Sequence, residues 1–389
     1  MNNGFFEKKT VLRVVSYIVV AALASVLTMA LNGRILPDKL TQLEQLIDEK
    51  YIGESDRTEL TDAAAAAMVK ATGDKWSYYI PALEYQTHKE QKANAYVGIG
   101  ITITQREDKT GFDIIRVTPG SAAEGAGVLA GDVLTHVEGQ DVAGMGSDAI
   151  RELVRGNEGT QVTVAVLRGK QSHSFTITRQ SISVTVAEGK LLTDDIGLVT
   201  IYNFNDNCQK ETVAAIESLL EQGAEKLIFD VRNNPGGYKK ELVDLLNYLL
   251  PEGPLFHSED YASRQVVDTS DEKCLEIPMA VLVNGNSYSA AEFFAAALEE
   301  YDWAVVVGEK TTGKGHYQQT YLLNDGSAVN LSVGKYFTPN GVNLTETGGI
   351  TPEILVEVEE EIAKDIYAGT RNWQDDPQIQ AALQALQKS

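Results

Sequence analysis

KLIFDVRNNPGG, residues 226–237, is an apolar run that ends in a tight turn. KLIFDV has the length and composition of a buried strand, and Pro235-Gly236-Gly237 closes it. Glycine N–H groups in such a turn are free to converge on an anion, although an ordinary strand-to-helix turn uses the same residues. Working outward, IGLVTIYNF (196–204) is a second apolar run, and Val213, Ile216, Leu219 and Leu220 mark an amphipathic helix between the two. MAVLVNG (279–285), a helix from about Ser289 to Glu300, and WAVVVGE (303–309) continue the alternation. Strands alternating with helices predict an α/β layered core with substantial parallel pairing over residues 187–360.

Two further stretches in that core have the residue types for chemistry. In NGNSYSAAEFFAAAL (284–298), serines sit between an apolar strand and a helix. A serine there commonly caps the helix. The same place puts a nucleophile beside unpaired N–H groups and the positive end of the helix dipole, which favour a developing oxyanion. In GEKTTGKGHYQ (308–318), Lys314 lies between two glycines after another apolar strand. A loop lysine is usually just solvated, and the spacing of a phosphate-binding loop is absent. Of the five histidines (His88, His136, His173, His257 and His316), His316 is the rival base because it lies near Lys314. No pair of them has metal-ligand spacing, so no metal is expected.

On the N-terminal side the period changes. Val97, Ile99, Ile101 and Ile103 alternate with Gly98, Gly100, Thr102 and Thr104, a strand opened by a Gly-rich turn. Short strands and turns follow in PGSAAEGAGVLAGDVLTHVEG (119–139) and RGNEGTQVTVAVLRG (155–169). An open strand edge beside free N–H groups can accept an extended peptide and its carboxylate, and glycines that merely form turns give the same pattern. The segment 94–186 resembles a PDZ domain, β-rich and small. That resemblance implies capture of a protein C-terminus near Tyr96, Val97, Gly98 and Ile99.

Residues 36–93 read as a helical spacer. Leu40, Leu43, Leu46 and Ile47 share one face, Asp62–Ala71 is Ala-rich, and nothing in the segment looks catalytic. Before it, residues 1–35 read as a cytoplasmic stub and a transmembrane helix. Lys8, Lys9 and Arg13 precede an uncharged run, Val14 to Leu31. Its helical rise of about 27 Å approaches the ~30 Å of a bilayer core. The positive flank leaves the N-terminus in the cytoplasm and the rest of the chain outside. A cleaved signal peptide is the alternative, against which Thr28-Met29-Ala30 fits an Ala-x-Ala site poorly. The tail, 361–389, is acidic and then mildly helical, with no chemistry assigned.

The whole chain has 389 residues and a net charge of −22, with 43% hydrophobic and 23% charged residues. Such a composition is globular, long enough for two or three domains, and too acidic for a nucleic-acid partner. Two cysteines, Cys208 and Cys274, exclude a disulfide framework and leave their pairing open.

DVRNNPGG (230–237), SYSAAE (287–292), GKGHYQ (313–318), KYFTPNG (335–341) and GGITPE (348–353), in that order, strongly resemble the carboxyl-terminal processing, or tail-specific, proteases. The likeness spans nearly the whole chain. It implies a membrane-anchored serine endopeptidase with no cofactor. Its substrates would be proteins or peptides recognised through free C-terminal tails, and homodimerisation stays open. By position, the resemblance puts the nucleophile on Ser289, the general base on Lys314 and an orienting amide on Gln318. The oxyanion donors fall on the backbone of Gly236 or Gly237 and of Ala290. Two residues depart from the family pattern: Tyr288 stands where it has a small residue, and His316 where it has a small or hydroxyl one. A non-catalytic peptide receptor or scaffold of the same folds is the competing reading.

Overall fold

The computed structural model describes residues 15–21 and 38–387. By compactness the chain divides into a unit up to Gly73 and a unit from Asp74 onward. In the first, residues 15–21 are helical; the rest of the expected span 14–31 lies outside the described residues. Among the described residues no helix is long and apolar enough to cross a membrane. Helices Lys39–Lys50 and Arg57–Lys70 follow, capped by Asp38 and Asp56, whose carboxylates accept the N–H groups of Thr41 and Glu59 at 2.9 Å each. The second therefore starts before the Ala-rich run that announces it.

In the second unit, six strands form one sheet in the order Ala187–Leu191, Ile196–Ile201, Lys226–Asp230, Met279–Val283, Ala304–Gly308 and Ile354–Leu355. The first pair is antiparallel and all the others are parallel. Parallel strands are covered on both faces, which is why these runs are apolar throughout rather than alternating. All of Met279–Val283 is buried. Met279, Val281 and Val283 face a core shared with helices Cys208–Glu221, Lys239–Leu249 and Ala290–Glu300. Ala280 and Leu282 face the other way, onto the C-terminal helix Pro377–Leu386 through Ile379, Ala382, Leu383 and Leu386. The period of two thus assigns each side chain to one layer.

The C-terminal segment is therefore part of the core. Arg232, just past the 226–230 strand, donates to Asp230 at 2.6 and 2.9 Å, to Asp376 at 2.8 Å and to Gln378 at 3.0 Å. This clamp is buried, so breaking it would leave a charge without a partner inside the protein.

A second, antiparallel sheet stands beside the first and has no counterpart in the sequence reading. It orders Tyr78–Ile80, Ala328–Phe337, Gly253–Asp260 and Gln265–Ser270, with His316–Leu322 also paired to Ala328–Phe337. Its first strand corrects the expectation of helix up to Ala93. Tyr78, Tyr79 and Ile80 are strand formers, and Pro81 holds the residue before it extended. Helix resumes at Ala82–Lys92.

The β-rich segment has its own core. Strands Ile101–Gln105, Phe112–Val117, Val133–Val137, Gln161–Arg168 and Gln171–Thr178 form a sheet closed over Phe112, Ile114, Leu134, Val164 and Ile150. The ribbon Ala95–Gly98 with Gln180–Ser183 gathers its two ends. Cys208 is buried, Cys274 exposed, and both are free thiols.

Candidate active site

The two turns read from the sequence meet at the C-terminal ends of adjacent parallel strands. Tyr288 N–H donates to Asn234 O at 3.2 Å. The Ser287 hydroxyl donates to Val231 O at 2.8 Å, and Asn233 and Asn284 exchange bonds of 2.9 and 3.0 Å. Gly236 stands at φ +82°, and a Cβ there would lie 2.7 Å from Ala290 N and 2.8 Å from Ser289 Cβ. A Cβ at Gly237 would overlap the Phe204 carbonyl carbon. Both glycines are needed so that the backbones can approach.

Ser289 follows at φ +61°, ψ −122°, a conformation costly for any residue with a Cβ. The chain reverses there from strand to helix, so the hydroxyl stands at the head of Ala290–Glu300 instead of capping it. Strain of this kind persists only where surroundings hold it. Here the stitching of the two turns does so. Below, Phe294 packs between Phe204 and Phe229 with ring centroids 5.7 and 5.4 Å away, fixing the helix to the sheet.

The backbone donors separate into used and unused. Gly236 N–H is already given to Asn234 Oδ1 at 2.8 Å, and Asn234 is itself held by Ile201 O at 2.7 Å. Gly237 N–H and Ala290 N–H have no acceptor among the described residues. Of the two glycines left open by the sequence, Gly237 has the available donor and Gly236 makes the close approach.

Lys314 comes to the same cavity, a cleft of about 1080 Å³ also lined by Ser289, Gly237, Tyr288, Trp76 and Gln318. Its ammonium lies 4.6 Å from the Trp76 ring centroid and 5.8 Å from that of Tyr288, and the two rings are 5.3 Å apart. Burial lowers its pKa to about 8, with Lys92 pushing the same way and Asp74 and Glu292 opposing. His316, the rival base, is not among the residues lining the cleft, and its Nδ1 faces Thr345 Oγ1 at 3.4 Å. Gln318 lines the cleft, but its amide nitrogen donates to His316 O at 2.9 Å and Ser332 Oγ at 3.1 Å, and no hydrogen bond joins it to Lys314.

Glu292 is the residue the sequence reading passed over. It is 0% exposed, in the first turn of a helix whose first eight residues are otherwise Ala and Phe. Its carboxylate accepts from the Thr311 hydroxyl, from Gly313 N at 2.6 Å and from Lys314 N at 3.0 Å, and burial raises its pKa. A charge in an apolar helix was the available signal. The Lys314 loop is held from its other side as well. Tyr336 donates its hydroxyl to Lys314 O, and Asn343 Nδ2 donates to Gly315 O at 2.9 Å. Trp76 and Asp74 come from the segment expected to be a passive spacer. Asp74 accepts Trp76 N at 3.0 Å and the Ser77 hydroxyl at 2.5 Å, and Ser77 Oγ accepts Ser332 N at 2.9 Å.

A second groove of about 250 Å³ lies in the β-rich domain, between the Ile101–Gln105 strand and helix Ser147–Val154. Tyr96, Gly98 and Ile99 line it; Val97 does not. Helix residue Ile150 and Arg155 complete the wall, the Arg155 guanidinium 5.5 Å from the Tyr96 ring centroid and 3.0 Å from Glu90. No group of three or more His, Cys, Asp or Glu among the described residues could hold a metal.

Residues 195–356 match the profile of peptidase family S41, and residues 114–168 match that of the PDZ domain. A CtpA-like serine protease of Staphylococcus saprophyticus is 33% identical over 323 residues, covering 82% of this chain and 65% of that protein's length. The carboxy-terminal processing protease CtpA of Bacillus subtilis is 33% identical over 326 residues, covering 82% of this chain and 69% of its own. An S41 protease structure from Bacteroides fragilis shares the fold, with a TM-score of 0.50 at 17% identity over 91% of this chain and 98% of that one.

Proposed function

The chain belongs to peptidase family S41, with the carboxy-terminal processing proteases, and we propose that it cleaves polypeptides with Ser289 as nucleophile and Lys314 as general base. The observation that carries this reading is the placement of both side chains on one cleft, together with two unused N–H groups. A lysine with a pKa near 10.5 is useless as a base at neutral pH; at about 8, roughly a tenth of it is neutral at pH 7. Neutral Lys314 takes the Ser289 proton as Oγ attacks the scissile carbonyl carbon. The carbonyl oxygen becomes an oxyanion between the N–H groups of Gly237 and Ala290, each donor worth about 3 kcal/mol. On collapse, the C–N bond breaks and the lysine ammonium gives its proton to the leaving amine. Water, deprotonated by the same lysine, then releases the acyl group from Ser289. Gln318 acts through the fold of its own strand rather than as a direct partner of the base.

The groove beside Tyr96, Gly98 and Ile99 takes the substrate's free C-terminus, and the cleft takes the chain upstream of it. The apolar run 14–31, behind Lys8, Lys9 and Arg13, anchors the protein in the cell membrane as a single pass with the protease outside. The test is incubation of the purified chain with an unfolded protein ending in an apolar carboxylate, read by mass spectrometry. Cleavage lost in Ser289→Ala and slowed by amidation of the terminus supports the reading. Cleavage unchanged in Ser289→Ala sinks the nucleophile assignment. Fractionation, with protease added outside intact cells, tests the anchor and its orientation.

A further inference from the structure

In a chain of net charge −22, the active-site cleft is lined by a group of lysines without carboxylate partners among the described residues. Lys75, Lys89 and Lys92 all line it, and each ammonium lies over an aromatic ring rather than on a carboxylate. Lys75 Nζ is 4.6 Å from the Trp76 centroid, Lys89 Nζ 5.1 Å from Tyr85, and Lys92 Nζ 5.8 Å from Tyr238. Lys92 also donates to the neutral Asn205 Oδ1 at 3.4 Å. Two other lysines lining the cleft differ in having carboxylate partners. Lys239 is paired with Asp268 and Lys240 with Asp244, both at 2.5 Å. Of the two carboxylates lining the cleft, Asp206 and Glu241, the latter is engaged with Gln209 N at 2.9 Å. Basic residues at the end of helix Ala82–Lys92 suit its dipole, but the dipole explains neither Lys75 nor the convergence of all three on one cavity. Positive charge in a concave, partly apolar site on an acidic protein focuses the field inside it.

We propose that Lys75, Lys89 and Lys92 form a recognition site for substrate carboxylates, which selects polypeptide segments carrying Asp or Glu close to the scissile bond. None of the three stacked ammonium groups makes an ion pair among the described residues, and an acidic side chain of the bound segment supplies the counter-ion. This deepens the protease reading and rests on the cleft being its active site.

The test uses the full chain with two rhodamine-labelled peptides, one carrying four Asp around an apolar centre and the other Asn in their place. Both are C-terminally amidated, which keeps them from binding through a terminal carboxylate. Binding is measured on Ser289→Ala by fluorescence anisotropy and cleavage on the unmodified chain. The acidic peptide is expected to bind at least tenfold tighter at 50 mM salt, with the preference largely lost at 0.5 M. Lys75→Gln, Lys89→Gln and Lys92→Gln combined should erase the preference and leave affinity for the Asn peptide unchanged. Lys89→Glu alone, at an exposed position, should weaken the acidic peptide and favour one carrying Lys. Equal binding of both peptides, or a preference that survives the triple change, overturns the proposal. Preferential binding keeps this site whether or not these amidated peptides are cut, and absence of cleavage of the unfolded protein with a free terminus rejects the protease; equal cleavage of both peptides keeps the protease and rejects this site.

Discussion

Glu292 holds Lys314 by that lysine's own backbone: its carboxylate accepts Lys314 N–H at 3.0 Å, beside Gly313 N–H at 2.6 Å. One acceptor thus fixes the loop and places a negative charge near the ammonium, raising the lysine pKa against the larger effect of burial. Glu292→Gln keeps the shape and removes the charge. Its NH₂ group cannot accept from the N–H groups the second oxygen serves, so the loop loosens. Activity is expected to fall at least a hundredfold, and the acid limb of the pH–rate profile to move to lower pH. A profile that moved upward would show that the charge does not reach Lys314.

Lys314 gives the pH dependence. With its pKa near 8, kcat/KM should rise about tenfold per pH unit below 8 and level off above it. The stability effect has its own window. The folded pKa is lowered from 10.5, so the unfolded chain binds this proton more tightly, and stability rises with pH between about 8 and 10.5. Below 8 the folded protein bears the full cost of the buried charge. Lys314→Met removes it, and urea unfolding at pH 7 should show a gain of about 2 kcal/mol together with loss of cleavage. Lower stability in the Met variant would contradict the buried-base reading.

Gly236→Ala tests the approach of the two turns. The residue is at φ +82° and its new methyl would stand 2.8 Å from Ser289 Cβ and Tyr288 O. Backbone strain and a clash with backbone atoms together should cost about 2–4 kcal/mol, seen as a lower denaturation midpoint. Activity should fall further than stability accounts for, because the shift passes directly to Ser289 and Ala290 N–H. Full activity in Gly236→Ala would mean that the turns need not approach so closely.

The layered core was legible because parallel strands buried on both faces are written as unbroken apolar runs, of which MAVLV (279–283) is the clearest. The turns at Gly236–Gly237 and Ser289 were legible by their residue types and by resemblance. The second sheet was not. Its strands Gln265–Ser270 and His316–Leu322 are mostly exposed, so no face of either is marked by hydrophobic period. Gln318 was read as orienting Lys314, yet its amide direction depends on Ser332, a strand partner that sequence alone does not supply. The tail carried a readable signal in Ile379, Ala382, Leu383 and Leu386, spaced as one helix face, which its acidic flank obscured. Trp76 could not have been found: it reaches Lys314 across 238 positions, and only the pairing of Tyr78–Ile80 with Ala328–Asn330 brings it there.

Trp76 is where two effects on the same lysine oppose each other. The indole face attracts the ammonium, worth about 0.5–2 kcal/mol toward the charged form. It also walls Lys314 from water, which favours the neutral form. Burial is the first cause of the lowering to about 8, and Trp76 lines the cleft that buries the ammonium, so exclusion of water is expected to outweigh the attraction. Trp76→Ala opens the wall, and the lysine pKa should move back toward 10.5. Cleavage at pH 7 is then expected to drop at least tenfold and to recover substantially by pH 9.5, in a profile displaced to the alkaline side. Trp76→Phe keeps an apolar wall and should stay close to the original profile. A loss in Trp76→Ala that is equal at every pH would instead assign the ring to substrate packing and leave the base to be tuned by Tyr288 and Lys92.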